Sequence, residues 1–194
     1  MNLVSLSPLH TFLKVESLDY PNPYDYKTPH RHDYFEIILI KQGGGEQLID
    51  FTKTPLETHT VYVIYPRQIH FLKREEAQGL LIQFKKEVFE LIFPLQYHHL
   101  YFTNPDVTLS SADFDSMYAL TETILQLTNN PNNSPLSIHK SYSYLQILLI
   151  SLIEFYQDQF PGRTDNFAGQ FLQLVSQNIK EKRKVTDYAS MMNL

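Results

Sequence analysis

With 194 residues, 43% of them hydrophobic and 19% charged, the chain is long enough for one domain with a buried core and too apolar to be disordered. It has no cysteine, which excludes disulfides and thiolate metal sites, and its net charge of −5 argues against duplex-DNA binding by this chain alone, because phosphate binding needs a basic face. The start lacks the features of a signal peptide, and the densest apolar run, Ile147 to Ile153, is too short to span a bilayer, so a cytoplasmic protein with no membrane partner is expected.

Residues 1–29 read as an irregular arm with one short strand around Thr11 to Val15 and a proline loop at Tyr20 to Tyr24. From His30 to about Lys86 every signal is β. Tyr34 to Lys41 is a continuous apolar strand, the pattern expected when both faces are covered. Gly43-Gly44-Gly45 turns the chain and Glu46 to Phe51 returns it. A turn around Pro55 then leads to the β-branched and aromatic segment Val61 to Tyr65. Phe71-Leu72 and, after Gly79, Leu80 to Phe84 complete a set of short strands suited to a sandwich or barrel.

After Lys86 the period changes. Glu87 to Phe93 reads as a short helix stopped near Pro94, and Gln96 to Pro105 as an aromatic loop whose His98 and His99 are assigned to surface or packing positions. Ser110 or Ser111 caps a helix from about Ala112 to Thr128, with Phe114, Met117, Leu120, Ile124 and Leu127 on one stripe. The next helix, 136–159, carries Ile138, Tyr142, Leu145, Leu149, Leu152 and Tyr156 at heptad-like spacing. Leu148, Ile150, Ile153 and Phe155 widen that seam, so the helix is expected to be buried on two sides, either within the chain or against a second subunit. Pro161 to Asn166 is the clearest linker. Beyond it lie a helix bearing Phe167, Phe171, Leu174, Val175 and Ile179, and a basic cluster (Lys180, Lys182, Arg183, Lys184) read as a solvated helix end. A last helix starts at Val185 with Thr186 placed to cap it.

Alternate side chains of a strand share a face, so His30, His32, Tyr34 and Glu36 are expected together, continued by Ile38 and Ile40. His70 can join them from a later strand. Imidazole and carboxylate donors in combination suit Zn, Fe, Mn or Ni, which makes His30, His32, Glu36 and His70 candidate ligands of a 3-His-1-Glu metal site. The other reading of the same residues is the wall of a pocket for a small organic molecule. There the imidazoles and Glu36 hydrogen-bond the ligand and Tyr34 offers a stacking face. Val63, Tyr65 and Ile82 are further wall positions, whose parity a one-residue slip in register would reverse.

The spacing H-x-H-x3-E-x6-G, met by His30, His32, Glu36 and Gly43, resembles the first motif of the cupin superfamily. Pro66 and His70 resemble the second motif, without its usual glycine two residues after the proline. Such strands followed by two helices, a linker and a further helical start resemble the AraC-type (AraC/XylS) transcription regulators over nearly the whole chain. Pro29 to Ile37, Tyr65 to His70 and Gly79 to Phe84 carry the barrel part of this likeness. Val185 to Leu194 resembles the opening of the family's helix-turn-helix domain.

The resemblance implies a mainly β fold with added α. An N-terminal cupin-like jelly-roll (double-stranded β-helix) barrel would occupy 1–86, a helical dimerisation region 87–160, and a linker with the start of a helix-turn-helix domain 161–194. It also implies a non-enzymatic sensor domain without a cofactor. That domain would take a small effector, such as a sugar or related metabolite, on His30, His32, Tyr34, Glu36, Tyr65 and His70. A homodimer would form through the 136–159 helix, and DNA would be reached only through a domain beyond Leu194. The metal motif keeps one alternative open: a cupin metalloenzyme, a dioxygenase or isomerase, with Zn, Fe, Mn or Ni on His30, His32, Glu36 and His70.

Overall fold

A computed structural model describes residues 4–5, 9–18, 28–92, 106–130, 134–160 and 167–194. The proline loop, the aromatic loop with His98 and His99, and the 161–166 linker lie outside the described residues. The strands in chain order are β1 (Val4–Ser5), β2 (Leu13–Ser17), β3 (His30–Arg31), β4 (Phe35–Gln42), β5 (Gly45–Ile49), β6 (Thr52–Pro55), β7 (Thr60–Ile64), β8 (His70–Arg74), β9 (Gln78–Phe84) and β10 (Asp106–Thr108). The helices are α1 (Lys86–Ile92), α2 (Ser111–Asn129), α3 (Ser137–Gln159), α4 (Phe167–Asn178) and α5 (Val185–Met191).

The strands form two five-stranded sheets, β1-β3-β8-β5-β6 and β10-β7-β4-β9-β2. They face each other as a jelly-roll-like sandwich, in keeping with the expected mainly β fold. The reason is visible in β4, where every residue from Phe35 to Ile40 is buried. Phe35, Ile37 and Leu39 point to one side, where Val61, Val63, Ile82 and Phe84 join them. Phe114 and Met117 of α2 and Leu145, Leu149 and Leu152 of α3 cover that side. Ile38 and Ile40 point to the other side and meet Tyr62, Ile64, Ile49 and Leu56 between the sheets. A strand with two apolar faces needs two covers, and the helices and the second sheet supply them.

The described elements follow the sequence reading with local differences. The β4 strand begins at Phe35 rather than Tyr34, because residues 32–34 carry the chain from one sheet to the other. Pro55, read as a turn, ends β6, which is an edge strand where a missing N–H costs no ladder bond. The three-residue β10 had no pattern to announce it. It pairs antiparallel with β7, from Asp106↔Tyr62 to Thr108↔Thr60. The α2 cap is Ser110, whose Oγ accepts from the Asp113 N–H at 3.2 Å. The α5 cap is Lys184 and not Thr186. The Asp187 carboxylate accepts from the Lys184 N–H at 3.4 Å, so the cap stands two residues before Thr186, which lies inside the helix.

The tail packs on itself. The Phe171 and Tyr188 rings meet edge to face with centroids 5.8 Å apart, and the Tyr188 hydroxyl donates to the Lys182 carbonyl at 2.6 Å. Among the described residues no helix is long and apolar enough to cross a membrane.

Close approach of backbone requires glycine at Gly43, Gly45 and Gly79. Gly45 has φ +103°, and a Cβ there would stand 2.1 Å from the Lys73 carbonyl oxygen. At Gly79 a Cβ would stand 2.0 Å from the Leu39 carbonyl oxygen. That oxygen belongs to the central strand and cannot retreat without opening the β4–β9 ladder. Gly79→Ala is therefore expected to destabilise the fold by about 2–4 kcal/mol in urea unfolding. Gly79→Ala with an unchanged midpoint would show that the ladder yields at no cost.

Candidate functional site

Four of the buried polar residues gather where β3 gives way to β4. His30 and His70 are opposite each other on neighbouring strands of one sheet. Glu36 lies on the other sheet, paired with Ile64 on one side and Gln83 on the other. His32 sits in the connection between the sheets. All four are buried, with relative exposures of 5% for His30, 3% for His32, 6% for Glu36 and 3% for His70. The sequence expectation put His30, His32, Tyr34 and Glu36 on one strand face. They come together instead around a corner between two sheets.

Glu36 is the centre of the group. Its Oε1 accepts from Gln83 Nε2 at 2.6 Å and stands 3.4 Å from His32 Nε2. Its Oε2 is 3.3 Å from His70 Nε2. Burial alone would raise the carboxyl, but the His32 imidazole, by charge and hydrogen bond, and then His70 outweigh it and hold Glu36 well below the usual carboxylate range. The carboxylate is therefore ionised inside the sandwich.

The imidazoles are oriented by backbone carbonyls. Nδ1 of His32 donates to the Tyr34 carbonyl at 2.9 Å, and Nδ1 of His70 to the Gln68 carbonyl at 3.3 Å. Tyr34 also stacks on His32, with ring centroids 3.7 Å apart and planes 2° from parallel. His30 approaches His70 with centroids 4.3 Å apart and lies 6.3 Å from His32. Burial first, and then the neighbouring His70, lower the His30 imidazole from 6.5 to about 4.

The Pro66 corner that delivers His70 is itself pinned. Asp50 Oδ1 accepts from the Ile69 N–H at 3.1 Å and Oδ2 from Gln68 Nε2 at 2.8 Å. Gln68 Oε1 accepts from the Tyr65 N–H at 2.9 Å. The Arg67 N–H donates to the His32 carbonyl at 2.6 Å, and Arg67 holds φ +72°. The corner and the histidine bend are thus one hydrogen-bonded unit.

Not every expected wall residue is here. Tyr65, Val63 and Ile82 lie in the helix-facing core, and Tyr65 meets Phe35 edge to face at 6.0 Å. The register decides this. Glu36 pairs with Ile64 and Gln83, so those positions share its face, while 63, 65 and 82 take the opposite one. Gln83 is the member of the cluster that the sequence reading missed. Asp50 and Gln68 were also missed, since nothing in their spacing ties them to His70.

A metal ion can be weighed on the donors alone. His32, Glu36 and His70 offer ligand atoms that all lie within 4.8 Å of one another, and His30 is not one of them. Two imidazoles and a carboxylate fit a divalent transition metal in type. The four-ligand set expected from the motif therefore reduces to three converging donors and one flanking ring.

The amino-acid sequence matches the AraC-like ligand binding domain family over residues 13–132. The chain belongs to this AraC-like family. Among curated proteins none matches the sequence. Several solved structures resemble the chain at low identity. Apo ToxT K231A from Vibrio cholerae strain SCE256 is 13% identical, with 96% of this chain and 72% of that one covered and a TM-score of 0.48. The AraC-like transcriptional activator CuxR is 12% identical, with 84% and 57% covered and a TM-score of 0.43. ToxT from Vibrio cholerae O395 bound to (E)-4-(8-methylnaphthalen-1-yl)but-3-enoic acid is 9% identical, with 95% and 72% covered and a TM-score of 0.42.

The cluster predicts an acid-sensitive fold. Between pH 6.5 and about 4 the unfolded chain binds a proton at His30 that the folded chain refuses, so stability falls as pH falls through that window. The Glu36 contribution is complete above pH 4.5 and is lost as pH falls from there through its lowered value. Urea midpoints between pH 7 and 4 are expected to decline for the wild type and to decline less for His30→Gln. Equal slopes would separate His30 from the effect.

Proposed function

We propose that this chain is the ligand-sensing and dimerisation part of an AraC-type transcription regulator, cytoplasmic and non-enzymatic, with the Glu36 cluster as the recognition element for a small effector. One observation supports this above the others: an ionised carboxylate buried inside the sandwich among three imidazoles, Gln83 and Tyr34. Burying charge costs several kcal/mol, and apolar residues of similar volume serve stability as well or better. Polar groups kept at that cost in the interior of a ligand-binding fold are suited to recognition. A hydroxylated molecule, such as a sugar or related metabolite, would donate to Glu36 and exchange hydrogen bonds with the imidazoles. Tyr34 would brace His32 rather than stack on the ligand, because its ring face is already taken by that imidazole. Tyr65 has no part in this reading.

DNA would be read by a helix-turn-helix domain following Leu194, with α4 and α5 leading into it. Effector binding would act on operator affinity through a difference in affinity between two arrangements. In a thermal-shift screen with sugars and small metabolites, one class is expected to raise the wild-type melting temperature and to leave Glu36→Gln unchanged. Measurement of operator binding by the whole gene product, with and without that compound, completes the test. A gene that encodes no DNA-binding domain after Leu194 would end the proposal.

The proposed dimer contact is the outer face of α3. Leu145, Leu149 and Leu152 are buried against the sandwich, whereas Ile147 and Ile150, about one turn apart, are 49% and 43% exposed. Ile147→Asp with Ile150→Asp is expected to shift the protein from dimer to monomer in sedimentation without lowering its melting temperature by more than a few degrees. A dimer that survives both changes places the contact elsewhere.

The metalloenzyme alternative draws on the convergence of His32, Glu36 and His70. It requires turnover that chelator abolishes.

A further inference from the structure

We infer that the turn between α4 and α5 is a contact surface for the phosphate backbone of duplex DNA, formed by the side chains of Lys180, Lys182, Arg183 and Lys184. The choice of partner rests on the proposed regulator, but there DNA is reached only through a domain after Leu194, whereas this contact belongs to the chain itself.

Charge is divided unevenly along the sequence. Four cations and two carboxylates give residues 167–194 a formal charge of +2, whereas 12 cations and 19 carboxylates give residues 1–166 a charge of −7. The net −5 therefore conceals a basic segment. Its four cations lie within five residues, and every residue from Lys180 to Lys184 is exposed. Elsewhere Lys14, Lys53, Lys73 and Lys86 each pair with a glutamate. Among the described residues none of the four turn cations has a carboxylate partner.

Helix ends do not account for these cations. A basic side chain favours a helix from its last turn, and α4, which ends at Asn178, has none there. Lys182, Arg183 and Lys184 instead stand immediately before α5, at the end where a helix favours negative charge. Four like charges in five residues also repel one another. The folded chain alone gains nothing from this placement, and an anionic partner reverses both effects.

The turn is also held in shape. The Asn178 carbonyl accepts from the Glu181 N–H at 2.9 Å and from the Lys182 N–H at 2.7 Å. The Lys182 carbonyl accepts from the Tyr188 hydroxyl at 2.6 Å, and the Lys184 carbonyl from the Asp187 N–H at 3.0 Å. A preformed backbone has little conformational freedom left to lose on binding. Duplex DNA is the anion that suits such an array. It carries one negative charge per about 1.7 Å of axis, so neighbouring phosphates can take all four cations at once. Arg183 can bind a phosphate through two parallel N–H···O bonds, with the lysines as point charges. These contacts read no base sequence; they set position and orientation. They would hold α5 beside the backbone, where the proposed helix-turn-helix unit begins.

The test titrates a fluorescein-labelled duplex of about 20 base pairs and arbitrary sequence with the whole chain, followed by anisotropy at roughly 20 mM salt. Binding is expected, with log K falling against log salt at a slope between about −3 and −4. Lys180→Gln, Lys182→Gln, Arg183→Gln and Lys184→Gln together are expected to weaken it at least about tenfold and to bring the slope near zero, each single change removing about one unit of slope. Lys140→Gln, which alters an exposed lysine of α3, should change neither. The melting temperature of the fourfold variant should equal or exceed that of the wild type, so that lost binding reports the contact and not the fold. A duplex that does not bind, affinity that survives the fourfold change, or binding to phosphatidylserine vesicles in place of DNA would each overturn the surface.

The two readings fail separately. Operator binding by the whole gene product that keeps its affinity and salt slope in the fourfold variant sinks the turn and leaves the regulator. Duplex binding that the fourfold change abolishes, in a gene with no further DNA-binding domain, does the reverse.

Discussion

The structure depends on one constraint: a central sheet that is apolar on both faces. From Phe35 to Ile40 every side chain of β4 must leave water, and alternate residues leave it in opposite directions. Neither α2 and α3 nor the second sheet can satisfy that alone. The helix-facing side draws in Phe114, Met117, Leu145 and Leu149, and the inner side draws in Ile49 and Leu56. Three layers follow from one strand's composition.

The same constraint explains why the polar cluster is a recognition element in our reading rather than an accident of the surface. Glu36 occupies the first inner-facing position of β4, immediately before Ile38 and Ile40. A carboxylate there is tolerable only with partners, and they come from three places: the corner between sheets (His32), the opposite sheet (His70) and the neighbouring strand (Gln83). The Asp50–Gln68 bonds hold the corner that carries His70 in register with it. The site is therefore maintained by sheet packing, and a change in sheet spacing would be felt at the carboxylate. This is the coupling a sensor requires.

Much of this was legible in the residues. Periodicity placed α2 and α3 within about a residue of their ends, because their apolar stripes are long and Ser110 marks a start. The double-sided burial of β4 was legible in its unbroken apolar run. The meeting of His32, Glu36 and His70 followed from motif spacing. What failed was phase. Val61 to Tyr65 is buried on both faces, so it offers no polar alternation to show which residues face inward, and Tyr65 was assigned to the wrong side. Gln83 was overlooked because a polar residue near a strand end reads as surface until its partner strand is known.

The amino-acid sequence by itself determined the element types, the apolar faces and the identity of the chemical donors, because these depend on residues adjacent in the chain. Only the tertiary structure decided which donors converge. His30 and His32 are two residues apart, yet their rings stand 6.3 Å apart and His30 is outside the donor set. His70, 34 positions from Glu36 in the chain, comes within 3.3 Å of it. Strand register and the crossing between sheets set those distances, and both are fixed by long-range pairing that local sequence does not encode.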